Sequence, residues 1–177
     1  MPGVQCVDAE AIDDSGAAAL SLRDVARRAG VSHAAFTHHF GSKRGLLTAL
    51  AAEGYALLAD TLDAPGGDLV ETGVAYVRFA ARHRAHFEVM FQPDLYDPDS
   101  PKVAAARDRA GRALTAVLPP SATETEELAA WSIVHGFAAL WLSGTIPSTP
   151  DTDAGDAARP VIRLLEFRSS GQSQSPE

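Results

Sequence analysis

A glycine at position 30 separates two short segments, LRDVARRA and HAAFTHHF, and this punctuated pair constrains the fold more than any other stretch. Leu22, Val25, Ala26 and Ala29 recur at helical spacing on one face of the first segment, which turns Arg23, Arg27 and Arg28 outward. Ser21 followed by Asp24 reads as an N-cap with an acid in the first turn, and Gly30 suits the left-handed residue that ends such a helix. Ser32 caps the second segment, Gly41 breaks it, and Ser42 caps a long third one, KRGLLTALAAEGYALLADTLDA. Within that third helix Leu46, Leu47, Leu50, Leu57, Leu58 and Leu62 form an amphipathic stripe.

No stretch of the chain sustains a period-two alternation of β-branched residues, so the fold class expected is all-α. Pro65-Gly66-Gly67 punctuates the chain, and DLVETGVAYVRFAARHRAHFEVMF then reads as one helix, with Val70, Val74, Val77 and Ala81 on its inner face. Residues 93–101 read as a loop. A helix from about Lys102 repeats apolar positions at Val103, Ala106, Ala110, Leu114 and Val117 until Pro119-Pro120 ends it. Thr123 caps the next helix, residues 147–156 form another loop, and AARPVIRLLEF is the last helix. The domains expected are a three-helix domain over 1–63, a C-terminal helical bundle over 64–168 and a disordered tail over 169–177.

Charge is distributed unevenly. Residues 21–50 hold five Lys or Arg and one acid, a balance of +4 on a chain of net charge -8, so the remainder carries -12. A basic island on an acidic body fits a local site for a polyanion, although a solvated helix face has the same composition. The single cysteine, Cys6, forms no internal disulfide, and the first fourteen residues have neither a basic nor an apolar region of the signal-peptide kind. The location expected is the cytoplasm. Leu128 to Ile146 runs 19 residues without a formal charge, close to the roughly 20 that span a bilayer. Ser132, His135, Ser143 and two glycines interrupt it and no basic residue anchors its edges, so it reads as a buried helix and no membrane partner is expected.

Two helices joined at a glycine match a helix-turn-helix, whose second helix enters the DNA major groove. Ala34 and Ala35 are small enough for close approach to a duplex. Ser32, His33, Thr37 and His38 carry groups that reach base edges or phosphates, whereas His39 is expected to turn inward. Lys43 adds an ammonium to the positive end of the next helix, an arrangement suited to a phosphate. The stretch from Leu20 to Ala51 resembles the N-terminal DNA-binding domain of the TetR family of transcriptional regulators. The matching residues are Leu20-Ser21-Leu22, Ala26, Ala29-Gly30-Val31-Ser32, His39-Phe40, Lys43 and Leu46-Leu47. The resemblance spans about residues 12 to 62. It departs from the family at Thr37 and His38, where a tyrosine and a basic residue are usual, and in having no basic residue before Arg23. These departures leave two readings, a start placed late or a DNA affinity below the usual.

What the resemblance implies is a ligand-responsive regulator, a repressor and homodimer that releases a palindromic double-stranded DNA operator when a small-molecule effector binds. The alternative from another class is a helical adaptor that has lost DNA affinity. Arg23, Arg27, Arg28, Lys43 and Arg44 would contact phosphates, and Ser32, His33, Ala34, Thr37 and His38 would face bases, with Ala35 beside them. Trp131, His135 and Gly136 resemble the C-terminal subtype named for a Trp-His-Gly signature, although by itself a histidine on an apolar helix is more often a hydrogen-bonded core residue. Phe87, Met90, Phe91 and Trp131, with Tyr76 and His135 as polar groups, line an effector site in this reading; the same large residues also serve simply as a core. The Leu128–Leu142 helix shows two stripes, Leu128/Trp131/His135/Ala138/Leu142 and Ala130/Val134/Phe137/Trp141; one face is expected to pack on the helix around Leu114 and the other to pair across a dimer axis with help from VIRLLEF. His83 and His86 read as surface histidines, since no third ligand is spaced to complete a metal site. No cofactor, metal or catalytic centre is expected, because no phosphate-binding glycine loop, Gly-x-Ser-x-Gly or Cys-x-x-Cys occurs.

Overall fold

Capping residues and glycines cut this chain into helices. The computed structural model describes residues 32–165 and, before them, Arg23, Ala26, Arg27 and Gly30. The helices are α1 (His33–Phe40), α2 (Lys43–Asp63), α3 (Leu69–Arg82), α4 (Arg84–Met90), α5 (Pro101–Thr115), α6 (Glu124–Leu142) and α7 (Ala154–Ile162), with one 3-10 turn at Pro93–Leu95. No strand occurs among the described residues, and the fold is all-α. Arg23, Ala26 and Arg27 are helical as well. Gly30 (φ +67°) and Gly41 (φ +72°) take up the left-handed conformation where α1 is entered and left, which L-residues with a Cβ adopt only at a cost. Ser42 caps α2 by accepting the Gly45 N–H at 3.1 Å. Thr123 and Glu126 form a reciprocal capping box at the start of α6.

Two expectations fail at helix boundaries. The helix read through residues 68–91 breaks at His83 (φ -121°, ψ 48°), a position without a proline or glycine to mark it. The loop read over 147–156 ends early, because the Asp153 carboxylate accepts the Asp156 N–H at 3.0 Å and starts α7 at Ala154. An aspartate directly before a run of small residues is an N-cap signal present in the sequence, and the loop reading passed over it.

The chain packs as two compact units. One takes residues up to Leu57 with His83–Ala110, and the other takes Leu58–Arg82 with everything from Gly111 onward. In the first, Leu46, Leu47, Leu50, Ala51 and Tyr55 of α2 are buried, as are Ala85, Phe87, Val89 and Met90 of α4, with Tyr96 and Val103. The Met90 carbonyl accepts two phenol hydroxyls, from Tyr55 at 2.9 Å and Tyr96 at 3.0 Å. Gly54 lets α4 approach α2: a Cβ there would lie 2.6 Å from Met90 Sδ.

In the second unit α3 is the central helix, with Val70, Val74, Tyr76, Val77, Phe79 and Ala80 buried. It packs on α6 and α7. Gly73 is the close point, where an added Cβ would meet Ile162 Cγ2 at 2.9 Å and Val134 Cγ1 at 3.2 Å. Arg78 binds Asp153 at 2.8 Å and Asp156 at 2.9 Å, and Arg159 binds Glu71, so two charged clasps join α3 to α7. These pairs are solvent-accessible, so screening leaves them a small part of the stability. Fully burying Ile162, which is 0% exposed, is worth about 1.5–3 kcal/mol, so apolar packing holds α7 and the clasps set its register.

Candidate nucleic-acid interface

The turn at Gly30 begins with a hydrogen bond from its own N–H to the Arg27 carbonyl at 3.2 Å. Ala26 beside it is buried, while Arg23 and Arg27 are exposed, the outward placement expected of them. Helix α1 starts directly after Ser32, which is exposed, and Ala34 and His38 are exposed one turn apart on the helix. His39 is exposed as well. It does not turn inward as expected; its ring stands edge-on to Phe40 at 4.6 Å. Arg28, and the side chains of His33, Ala35 and Thr37, lie outside the described residues.

Helix α2 carries Lys43 and Arg44 in its first turn and no acid there. Cations at the positive end of a helix repel its macrodipole, a local cost that an anion beside them would relieve. Lys43 is half-buried. Arg44 is exposed, and its guanidinium donates to the Asp94 carbonyl oxygen at 3.3 Å, which ties the start of α2 to the 3-10 turn. Asp97 N–H donates to Thr48 Oγ1 at 2.9 Å one turn further along α2. The segment after α4 thereby buttresses the helix that follows the helix-turn-helix. Sequence reasoning missed these two contacts, which join residues some fifty positions apart.

Of the six residues read as an effector site, Tyr76, Trp131 and His135 meet in the second unit. The Tyr76 hydroxyl accepts the indole N–H of Trp131 at 3.3 Å and lies 3.0 Å from His135 Nδ1. An indole nitrogen only donates, so the Tyr76 oxygen is the acceptor in the Trp131 bond, and the same hydroxyl pairs with His135 Nδ1. Burial pushes the Tyr76 phenol well above its ordinary pKa and lowers that of His135, so both rings are neutral. Phe87, Met90 and Phe91 belong to the first unit. There Phe87 and Phe91 pack at 4.9 Å, and Phe91 meets Tyr55 edge-on at 6.2 Å.

His86 corrects another reading. It is 7% exposed rather than a surface residue, with Nε2 at 3.4 Å from Glu53 and its ring edge-on to His83. Among the described residues no group of three or more His, Cys, Asp or Glu is placed to hold a metal. None of the described helices is long and apolar enough to cross a membrane, and most of the charge-free run lies in α6. The two stripes on α6 are redistributed: Val134 and Ala138 are buried together, whereas Leu128 (57%), Trp131 (37%) and Leu140 (48%) are exposed. Val161 and Leu164, on α7 and just beyond it, are exposed as well.

This arrangement is that of a helix-turn-helix followed by a helical bundle, and sequence comparison agrees. Residues 9–50 match the family described as bacterial regulatory proteins, tetR family. Residues 69–165 match the tetracyclin repressor-like C-terminal domain, over half of the chain. The chain belongs to the TetR family and is a DNA-binding transcriptional regulator. No curated protein matches it. Among solved structures it is similar to a protein of unknown function from a Rhodococcus species, at 24% identity and TM-score 0.76, covering 95% of this chain and 93% of that one. It is similar to the TetR family transcriptional regulator PfmR from Thermus thermophilus, at 24% identity and TM-score 0.69, covering 92% and 96%. It is also similar to the fatty acid degradation regulator FadR from Bacillus halodurans, at 15% identity and TM-score 0.68, covering 93% and 96%.

Proposed function

We propose that this protein is an effector-responsive repressor that binds a palindromic operator as a homodimer in the cytoplasm and has no catalytic activity of its own. The observation that carries the DNA reading is the left-handed turn at Gly30, flanked by exposed Arg23, Arg27, Ser32, Ala34 and His38. Arg23, Arg27, Arg28, Lys43 and Arg44 hold phosphates, and Ser32, His33, Ala34, Ala35, Thr37 and His38 face the bases. The DNA-reading domain takes residues 1–63 and the effector and dimer domain residues 64–168.

The dimer reading is supported by the exposed apolar residues Leu128, Trp131 and Leu140 of α6, with Val161 and Leu164 beyond them on the next helix. Large apolar side chains left exposed on these two helices are available for association with a second copy. Two recognition helices then meet half-sites about 34 Å apart. The effector reading is supported by the buried Tyr76, whose hydroxyl is hydrogen-bonded to Trp131 and His135 toward the edge of the bundle, and a repressor would release DNA if its ligand favours the non-binding state. The test is an anisotropy titration of duplexes from the DNA flanking the gene, at two salt concentrations. Tight binding to a palindrome that weakens steeply with salt is expected, and indifference to sequence would leave only the adaptor reading.

A further inference from the structure

Resting on the DNA reading above, we propose that residues 93–97 form a strut that presets the recognition helix α1, with Thr48 and Arg44 of α2 as its positioning residues. The strut is anchored in the core of its unit. Tyr96 is buried, and its hydroxyl donates to the Met90 carbonyl at 3.0 Å, the oxygen that also receives the Tyr55 hydroxyl of α2. On either side of Tyr96 the backbone reaches the first turns of α2. The Asp97 N–H donates to Thr48 Oγ1 at 2.9 Å, and the Asp94 carbonyl accepts from Arg44 Nη1 at 3.3 Å. Thr48 is the joint. Its hydroxyl donates to the Arg44 carbonyl at 2.7 Å, which leaves oxygen lone pairs for the Asp97 N–H. A threonine bonded back in this way slightly weakens its own helix, so what the residue adds lies in the tie to Asp97.

The first turn of α2 is in turn the seat of α1. The carbonyl of Phe40, the last residue of α1, accepts the Ser42 N–H at 2.8 Å, and a Cβ added to Gly45 would collide with that same oxygen. The end of α1 therefore rests on the backbone of α2 with no side chain between them, so a shift of this turn is passed to α1. The ties from the strut are solvent-accessible and add little to folding stability; what they fix is geometry. Arg44 shows the consequence. Its guanidinium is a rigid fork of several N–H donors, and Asp94 engages Nη1 while the remaining donors stay available to a phosphate. A side chain ordered in advance loses less freedom when DNA arrives. Attraction to phosphates carries no sequence information, whereas reading base edges requires α1 at a defined place. The strut therefore governs the preference between duplexes rather than the charge that draws DNA in.

The experiment titrates the full-length protein by anisotropy against an operator selected from a random pool and against a scrambled duplex, at two salt concentrations. Thr48→Val keeps the shape and removes the hydroxyl. It should weaken operator binding about fivefold while leaving the scrambled duplex and the salt slope unchanged. Thr48→Ser should restore the preference. Arg44→Lys, which keeps the charge but not the fork, should likewise lose preference at an unchanged slope, whereas Arg44→Ala should flatten the slope on both duplexes by about one unit. An equal loss on both duplexes, the mark of a merely structural role, would overturn the strut. So would an undiminished preference in Thr48→Val and Arg44→Lys. A wild-type protein that prefers no duplex would overturn the DNA reading itself and the strut with it, an outcome distinct from a wild-type preference that the variants leave intact.

Discussion

Single side chains in the two units of this protein do different work, and substitutions separate them. Lys43 sits at a helix start where its charge is locally unfavourable, which makes it a phosphate contact in our reading. Lys43→Ala should weaken binding to every duplex alike and flatten the salt slope by about one unit, read by anisotropy at several salt concentrations. His33→Ala should instead change the preference between sites, since a base-facing group reads sequence. In the bundle, burial lowers the His135 pKa below its ordinary 6.5, so the folded state favours the neutral ring, which pairs with the Tyr76 hydroxyl. A depressed folded pKa confers stability that is present above pH 6.5 and lost as the pH falls through the folded value. Urea midpoints should therefore drop on the acid side of 6.5, and His135→Gln should make that drop shallower.

At the scale of elements, capping and glycine packing are the devices that matter. Thr123→Ala removes one half of the capping box of α6 and should cost about 1 kcal/mol in urea unfolding. Gly73→Ala gains about 1 kcal/mol of helix propensity. It also drives a methyl into Ile162 and Val134, which are 0% and 3% exposed and have nowhere to go. Overpacking of that kind costs about 1–3 kcal/mol, so the variant should be the less stable protein by the same measurement. Elements marked by chemistry were legible in the sequence: Gly30, Gly41, Ser42 and Thr123 each stand where a helix starts or stops. The break at His83 was not legible, because no residue there resists a helix; tertiary packing decides it. The same holds for His86 and His39, whose helical periodicity permitted either side and whose placement follows from packing.

For the whole molecule, the family and fold were readable from about thirty residues around the glycine turn, whereas the grouping of the effector candidates was not. Trp131 and His135 lie 55 and 59 positions from Tyr76 in the chain, and only packing reveals that the three share one hydrogen-bonded cluster. Phe87, Met90 and Phe91 share their apolar character but belong to the other unit. Size and hydrophobicity alone do not distinguish two cores. The exposed apolar residues of α6 predict that light scattering at micromolar concentration gives twice the 18.6 kDa of one chain, and that Leu140→Glu shifts the mass toward the monomer. The most direct test of the central claim is selection of duplexes from a random pool, followed by titration of the winning sequence at two salt concentrations. The account predicts a palindrome bound by two protomers, with affinity falling steeply with salt and lost when one half-site is scrambled. A protein that enriches no sequence, or binds the scrambled duplex equally well, would contradict it.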